Sequence, residues 1–299
     1  MRVGITGANG MLGTALVSHL SKRHDIFATS RGKGMDGHNI EWDCFDLTNT
    51  VLLNQWLEGV RADMIIHCAA IINVDACEDN VEMARRLHVE TTRIISNYLD
   101  ANNGRLIYIS TDSVFDGKKQ ESYNEGDVVN PLNTYAKTKI LGEKVTLSTK
   151  NGLVLRVNII GWTQEGRTSF AEWMFRGVIN NTTLNLFHDV YFSPLHVDKL
   201  SLIVGRIIKD PIYGLYHCVS SDSISKYDFG VQMAKVFRLS VSNINRVSVE
   251  SMNFQAERPK NMALDSGKLA DKFKCSIPSA LDSIKLMKRQ YDKNNNLLN

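Results

Sequence analysis

The chain has 299 residues, 43% hydrophobic and 22% charged, with a formal net charge of +3 at pH 7, an ordinary globular composition. So small a positive excess, with no run of about five or six basic residues, argues against a nucleic-acid partner, and the longest apolar runs, such as Met64-Ile65-Ile66, fall far short of the roughly 18 residues a membrane span needs. Five cysteines (Cys44, Cys68, Cys77, Cys218 and Cys275) are scattered without a C-x-x-C pair, which predicts reduced thiols in a cytoplasm and no cysteine metal site; the first residues enter a strand without a charged leader and apolar core, so no signal peptide is expected.

The first predicted element is a strand, Arg2–Thr6. It runs straight into "GITGANGMLG", residues 4–13, which spaces Gly7, Gly10 and Gly13 three apart. Apolar residues then recur at helical spacing over Met11–Ser21. Further strands are predicted at Asp25–Ser30, Met64–His67, Arg105–Ser110 and Leu153–Val157, and helices at Val51–Glu58, Val81–Ala101 and Thr134–Ser148. This alternation implies an α/β fold with a doubly wound parallel sheet wrapped by helices. From Asn158 to Thr183 there are only weak strand signals, and the pattern is irregular beyond Ser220. Residues 1–157, completed by about 188–219, are therefore read as a nucleotide-binding Rossmann domain. Residues 158–187 and 220–299 are read as a smaller C-terminal lobe, with Leu195–Ile208 returning as a helix against the sheet. The polar stretch Asp292 to Asn296 is predicted to fray.

The glycines have a physical reading. In a dinucleotide-binding turn the first glycine permits a tight bend and the second lets backbone approach a pyrophosphate. The third allows close helix–strand packing, and the helix N-terminus offers N–H groups to phosphate. Gly7, Asn9, Gly10, Met11, Leu12 and Gly13 are the candidate turn. The second strand ends in Ser30-Arg31, where an NAD site would carry an acid; a hydroxyl and a guanidinium suit the 2′-phosphate of NADP instead.

Tyr135 and Lys139 in "NTYAKTK" lie at i, i+4 on one helix face. A free tyrosine titrates near ~10, and an adjacent ammonium would lower that value by stabilising phenolate. The strand before them ends "YISTDSVFDG", which puts Ser110, Thr111 and Asp112 at the carboxyl edge of the sheet. There Thr111 can hydrogen-bond a carbonyl oxygen beside the Tyr135 proton donor.

With these residues assembled, the chain resembles the extended short-chain dehydrogenases/reductases, and more narrowly the dTDP-4-dehydrorhamnose reductases, over nearly its whole length. The resemblance is carried by "GITGANGMLG", "VDACED" at Val74–Asp79, "ISTDSVFDG" at Ile109–Gly117 and "PLNTYAKTKILGE" at Pro131–Glu143. Further stretches are "SPLHVDKL" at Ser193–Leu200, "SKYDFG" at Ser225–Gly230 and "RPKNMALDSGKL" at Arg258–Leu269. It implies that Thr111, Tyr135 and Lys139 are catalytic, that Asp46-Leu47 lie near adenine, and that Ala69-Ala70 lie over the pyrophosphate and ribose. Lys139 would also bind the nicotinamide ribose. Val74, Asp75, Asp112 and Arg258 would face a sugar nucleotide, and NADPH would reduce its 4-keto-6-deoxy sugar at C4. The chain departs from the family at Asn158-Ile159-Ile160-Gly161 and at Ser113, where aromatic residues are usual, so the sugar stays open. Thr14 stands where some members carry a glutamate for a magnesium-bridged dimer, so no metal is expected; a monomer or a homodimer would fit. Two alternatives remain: a 4,6-dehydratase or epimerase of the same fold, disfavoured by Ser113 after Asp112, and a non-catalytic NADP-binding subunit like the regulatory subunit of methionine adenosyltransferase.

Overall fold

The computed structural model describes residues 1–163, 168–252 and 254–296; positions 164–167, 253 and 297–299 of the predicted lobe lie outside the described residues. At its centre is a seven-stranded sheet in the order β3-β2-β1-β4-β5-β6-β7. Its strands are β1 (Arg2–Thr6), β2 (Asp25–Ser30), β3 (Ile40–Cys44), β4 (Met64–His67), β5 (Arg105–Thr111), β6 (Gly152–Val157) and β7 (Gly214–Cys218). Every pairing within it is parallel. β4, β5 and β6 are buried almost end to end, as strands covered on both faces must be. The strand order reverses between β1 and β4, and the crevice beyond their carboxyl ends is where such sheets take ligands.

The longer helices are α1 (Met11–Leu20), α2 (Thr50–Val60), α3 (Thr91–Ala101), α4 (Thr134–Leu147), α5 (Phe170–Ile179), α6 (Val197–Lys209), α7 (Lys226–Phe237) and α8 (Ala280–Asn296). Alternate strand residues point to opposite faces, and two apolar clusters follow. Ile5, Ile66, Ile107 and Leu155 pack with α1 and α6 on one face; Phe27, Ile65 and Leu106 pack with α2 and α3 on the other. Fully buried side chains such as Leu16 and Leu53 each contribute about 1.5–3 kcal/mol relative to exposure, which fixes both ends of the glycine turn.

A third cluster joins α5, α7 and α8 through Phe175, Phe229, Phe237 and Met287, with Trp162 and Tyr291 packed against it; we call this region the cap. Short strands edge it: Tyr191–Phe192 pairs antiparallel with Ile224–Ser225 and parallel with Asn261–Met262. Four details depart from the sequence reading. The predicted Val81–Ala101 helix is broken by a π-helical turn at Arg86–Glu90. α5 replaces the weak strand signals, because Ser169 and Glu172 form a reciprocal capping box that starts a helix there. Asp292 to Asn296 continue α8 rather than fray: Lys288 pairs with Asp292, and Tyr291 packs on Phe175 at 5.1 Å between ring centroids. In the returning segment, Leu195–His196 is a strand before α6 begins at Val197.

Candidate active site

β1 ends at Thr6, and the chain turns through Gly7 at φ +64°, a left-handed conformation glycine enters freely. A Cβ on Gly7 would lie 2.7 Å from the Ala69 nitrogen, and one on Gly13 would lie 2.4 Å from the Gly7 carbonyl oxygen. Both positions are closed to larger residues. Gly10 opens α1 with no side-chain cap, whereas Asn49 and Asn133 cap α2 and α4; the first-turn N–H groups of α1 are left to a ligand or to water. Asn9 reaches toward the end of β2, its Nδ2 3.5 Å from the Cβ position of Gly32. Met11 packs beside Gly161, and Leu12 is buried.

The Ser30 hydroxyl is buried and donates to the Gly32 carbonyl, so it shapes the turn after β2, and Arg31 beside it is exposed. Asp46 closes its own turn, accepting the Thr48 N–H at 2.8 Å and hydroxyl at 2.7 Å. Burial pushes that carboxyl up, but the two Thr48 bonds and the charges of Arg31 and Arg86 outweigh it and hold it below its ordinary value. Leu47 is buried, with its carbonyl accepting from Thr91 at 3.3 Å. Ala69 donates its N–H to the Thr6 hydroxyl at 3.4 Å, and Ala70 follows it, half-buried, on the loop after β4.

α4 is anchored at its first turn from two sides. Asn133 accepts the Ala136 N–H at 2.9 Å and donates to the Glu257 carbonyl at 3.0 Å. Glu78, in the short helix Val74–Asp79 that begins at the half-buried Val74, takes both the N–H and the hydroxyl of Thr134 at 2.7 Å. Tyr135 and Lys139 then stand one turn apart. Lys139 is buried; it donates to the Ile109 carbonyl at 2.6 Å and lies 4.0 Å from the Tyr108 ring centroid. Thr111, at the end of β5, donates to Asp112 Oδ1 at 3.1 Å and accepts the Ser113 N–H at 3.2 Å, near enough to the Tyr135 phenol to act on its titration.

The electrostatics differ from the sequence reading. Burial pushes Tyr135 up to about 12, against the Thr111 hydroxyl, which favours the phenolate, and with help from Asp112 and Cys77. Lys139 is not among the groups that lower it, because at the pH where the phenol would titrate this lysine has already given up its own proton. Burial lowers Lys139 itself to about 7, opposed by Glu143 and Cys68. Tyr135 therefore keeps its proton across neutral pH and is set up to give it away.

Several residues here escaped the sequence reading. Glu143, one turn beyond Lys139, accepts from Arg156 at 2.9 and 2.7 Å and from Ser110 at 2.5 Å, wholly buried. His88, on the π-helical turn, accepts the Ile71 N–H at Nε2 (3.0 Å), so Nδ1 holds the proton and donates to Thr138 at 2.8 Å. Its ring meets Tyr135 edge-on at 5.8 Å. Burial, with Lys139 and His67, lowers His88 to about 2, so it stays neutral. Asp112 accepts from Asn158 at 2.5 Å and from Ser113 at 3.3 Å, and burial pushes its carboxyl up. Asp75 and Arg258, predicted separately to face the substrate, pair with each other at 3.0 Å. Only Asn133, a helix cap just ahead of a predicted helix, carried a signal that sequence could have used.

A doubly wound sheet with a glycine turn at its switch point, and a Tyr and a Lys one helical turn apart beside a strand-end Thr, defines the extended short-chain dehydrogenase/reductase class. The chain belongs to the RmlD substrate binding domain family, whose profile matches residues 1–292. A dTDP-4-dehydrorhamnose reductase of Aggregatibacter actinomycetemcomitans is 28% identical over 291 residues, 91% of this chain and 93% of that one. The methionine adenosyltransferase 2 subunit beta of Mus musculus is 31% identical over 278 residues, 90% of this chain and 81% of that one. The structure of a dTDP-4-dehydrorhamnose reductase from Bacillus anthracis, in complex with NADP, matches at a TM-score of 0.86 and 27% identity, covering 97% of this chain and 99% of that one.

Proposed function

We propose that the chain is an NADPH-dependent reductase of the C4 carbonyl in a nucleotide-activated 4-keto-6-deoxy sugar, serving deoxysugar or surface-glycan synthesis. The observation that carries this reading is the buried Tyr135 phenol, which keeps its proton across neutral pH, on the helix that also carries Lys139 and close enough to the strand-end Thr111 for that hydroxyl to act on its titration. The residues present fit a dinucleotide: Gly7 and Gly13 leave no room for a Cβ, α1 is uncapped, and Arg31 is exposed at the end of β2. When bound, NADPH supplies the hydride. The chain's own residues do the rest. Thr111 orients the carbonyl oxygen, and Tyr135 gives it the phenolic proton as negative charge develops there. Lys139 is poised to protonate and to stabilise the phenolate that remains. Residues 1–157 with about 188–219 serve the cofactor, and 158–187 with 220–299 serve the sugar nucleotide.

No described helix is long and apolar enough to cross a membrane, and all five cysteines are free, in keeping with a cytoplasmic enzyme. The likeness to the methionine adenosyltransferase subunit supports a second reading, an NADP-binding regulatory partner. One assay separates the two: NADPH oxidation screened against a panel of 4-keto-6-deoxy sugar nucleotides. Turnover with at least one of them is expected. NADPH binding without turnover on any would favour the regulatory reading.

A further inference from the structure

Lys226 opens α7 directly after Ser225, whose hydroxyl caps that helix by accepting the Asp228 N–H at 3.0 Å. Its ammonium stands 3.9 Å from the centroid of the Phe170 ring and 4.6 Å from that of Phe192. Aromatic faces attract a cation but satisfy none of its N–H donors. Among the described residues, Lys226 Nζ has no hydrogen-bond acceptor and no carboxylate at ion-pair distance. A lysine held this way has its charge oriented and its donors unspent.

The short cap sheet sets where those donors lie. Phe192 is the register partner of both Ile224 and Met262, and the Met262 sulfur accepts from the Ser113 hydroxyl at 3.8 Å. Lys226 is thereby carried onto the end of β5, where Asp112 supports its charge and Arg258 opposes it. Neither neighbour answers it. Arg258 is committed to Asp75 at 3.0 Å, and Asp112 is shared among Asn158, Thr111 and Ser113 in a setting that resists ionisation.

We propose that Lys226 binds the diphosphate of the sugar nucleotide, donating to its non-bridging oxygens from the cap side while Thr111 and Tyr135 hold the sugar. This assignment rests on the sugar-nucleotide reading above. A diphosphate brings full negative charge and so forms the stronger, charge-assisted hydrogen bonds; a sugar hydroxyl would offer only a dipole to a desolvated ammonium.

The test is calorimetric titration of the NADPH-loaded full chain with dTDP and UDP, and with thymidine and uridine as controls without phosphate. Lys226→Met is expected to weaken both diphosphates by about tenfold to a hundredfold, the loss of a hydrogen bond to a charged group. The nucleosides and NADPH should bind as they do to the native protein, and Lys226→Arg should recover most of the loss. Native-like diphosphate binding by Lys226→Met would overturn the assignment, as would an equal loss for the nucleosides, which would mark Lys226 as a packing residue of the cap. A native protein that binds no nucleoside diphosphate would overturn the sugar-nucleotide reading itself.

Discussion

The sheet and the cap bring polar groups to one crevice by different physics. On the sheet side the groups around Tyr135 are held in buried bonds: Glu143 is shared by Arg156 and Ser110, His88 ties Ile71 to Thr138, and Lys139 rests on the Ile109 carbonyl. On the cap side, Lys226 leans on two rings, Arg258 meets Asp75 half in solvent, and Trp173 and Tyr191 are exposed. On the proposed reading, the half assigned to the chemistry holds its charged groups in buried bonds, while the half assigned to the sugar keeps Arg258 and Asp75 half in solvent.

The comparison can be broken at its strongest point first. Tyr135→Phe keeps the ring and removes the phenol, so turnover should fall by about 10²–10⁴-fold with NADPH affinity unchanged; near-native turnover on an accepted substrate would remove Tyr135 from the mechanism. Next is the buried ion pair. Arg156→Met leaves the Glu143 carboxylate without its partner and should destabilise the fold by about 3–5 kcal/mol, read as a drop in urea midpoint. A loss under 1 kcal/mol (about the most an exposed pair supplies) would mean that Glu143 finds another partner or takes up a proton.

At the cofactor edge, Arg31→Ala should weaken NADPH by about tenfold to a hundredfold, as the loss of one charge-assisted contact, and leave NADH nearly untouched. Equal titration curves for the two cofactors in the native protein would refute this.

The buried histidines give a pH signature. Burial holds His67 and His217 at about 3 and His88 at about 2, with Lys139 adding for His67 and His88 and Arg156 for His217. The unfolded chain protonates each near ~6.5, so stability is complete above that pH and is lost as pH falls from 6.5 toward 3. Each histidine contributes about 1.4 kcal/mol per pH unit across that window, and His217→Gln should flatten the urea-midpoint profile; an unchanged slope would show that His217 charges in place. The smallest effect belongs to the half-exposed bridge between the halves. Arg258→Ala should change stability by less than about 1 kcal/mol; a larger loss would mean that the cap is locked, not loosely held.

What could be read in advance follows the same divide. β1, β2 and β4 were legible to the residue, and β5 and β6 to within one, because doubly covered strands are apolar runs bounded by turn residues. β3 and β7 were not: Ile40–Cys44 and Gly214–Cys218 are the two edge strands of the sheet, partly open to solvent, and neither is a continuous apolar run. Thr111, Tyr135 and Lys139 were legible as a spacing, and the glycine turn as a motif. Their electrostatics were not, since burial decides both shifts, raising Tyr135 and lowering Lys139. The π-helical turn, the Glu78–Thr134 anchor and the Lys226 perch all rest on contacts between segments far apart in the chain, for which local pattern has no vocabulary.

The ties at either side of the crevice also differ in when they can form. Gly7 packs on Ala69, so this close approach of the glycine turn is available once the first quarter of the chain exists. Asp75 must wait for Ala256 and Arg258, which lie 181 and 183 residues later. At a synthesis rate of about 5–20 residues per second, that interval lasts roughly ten to forty seconds on the ribosome. During it the growing chain holds the close approach of Gly7 to Ala69 without the tie that later joins Asp75 to Arg258.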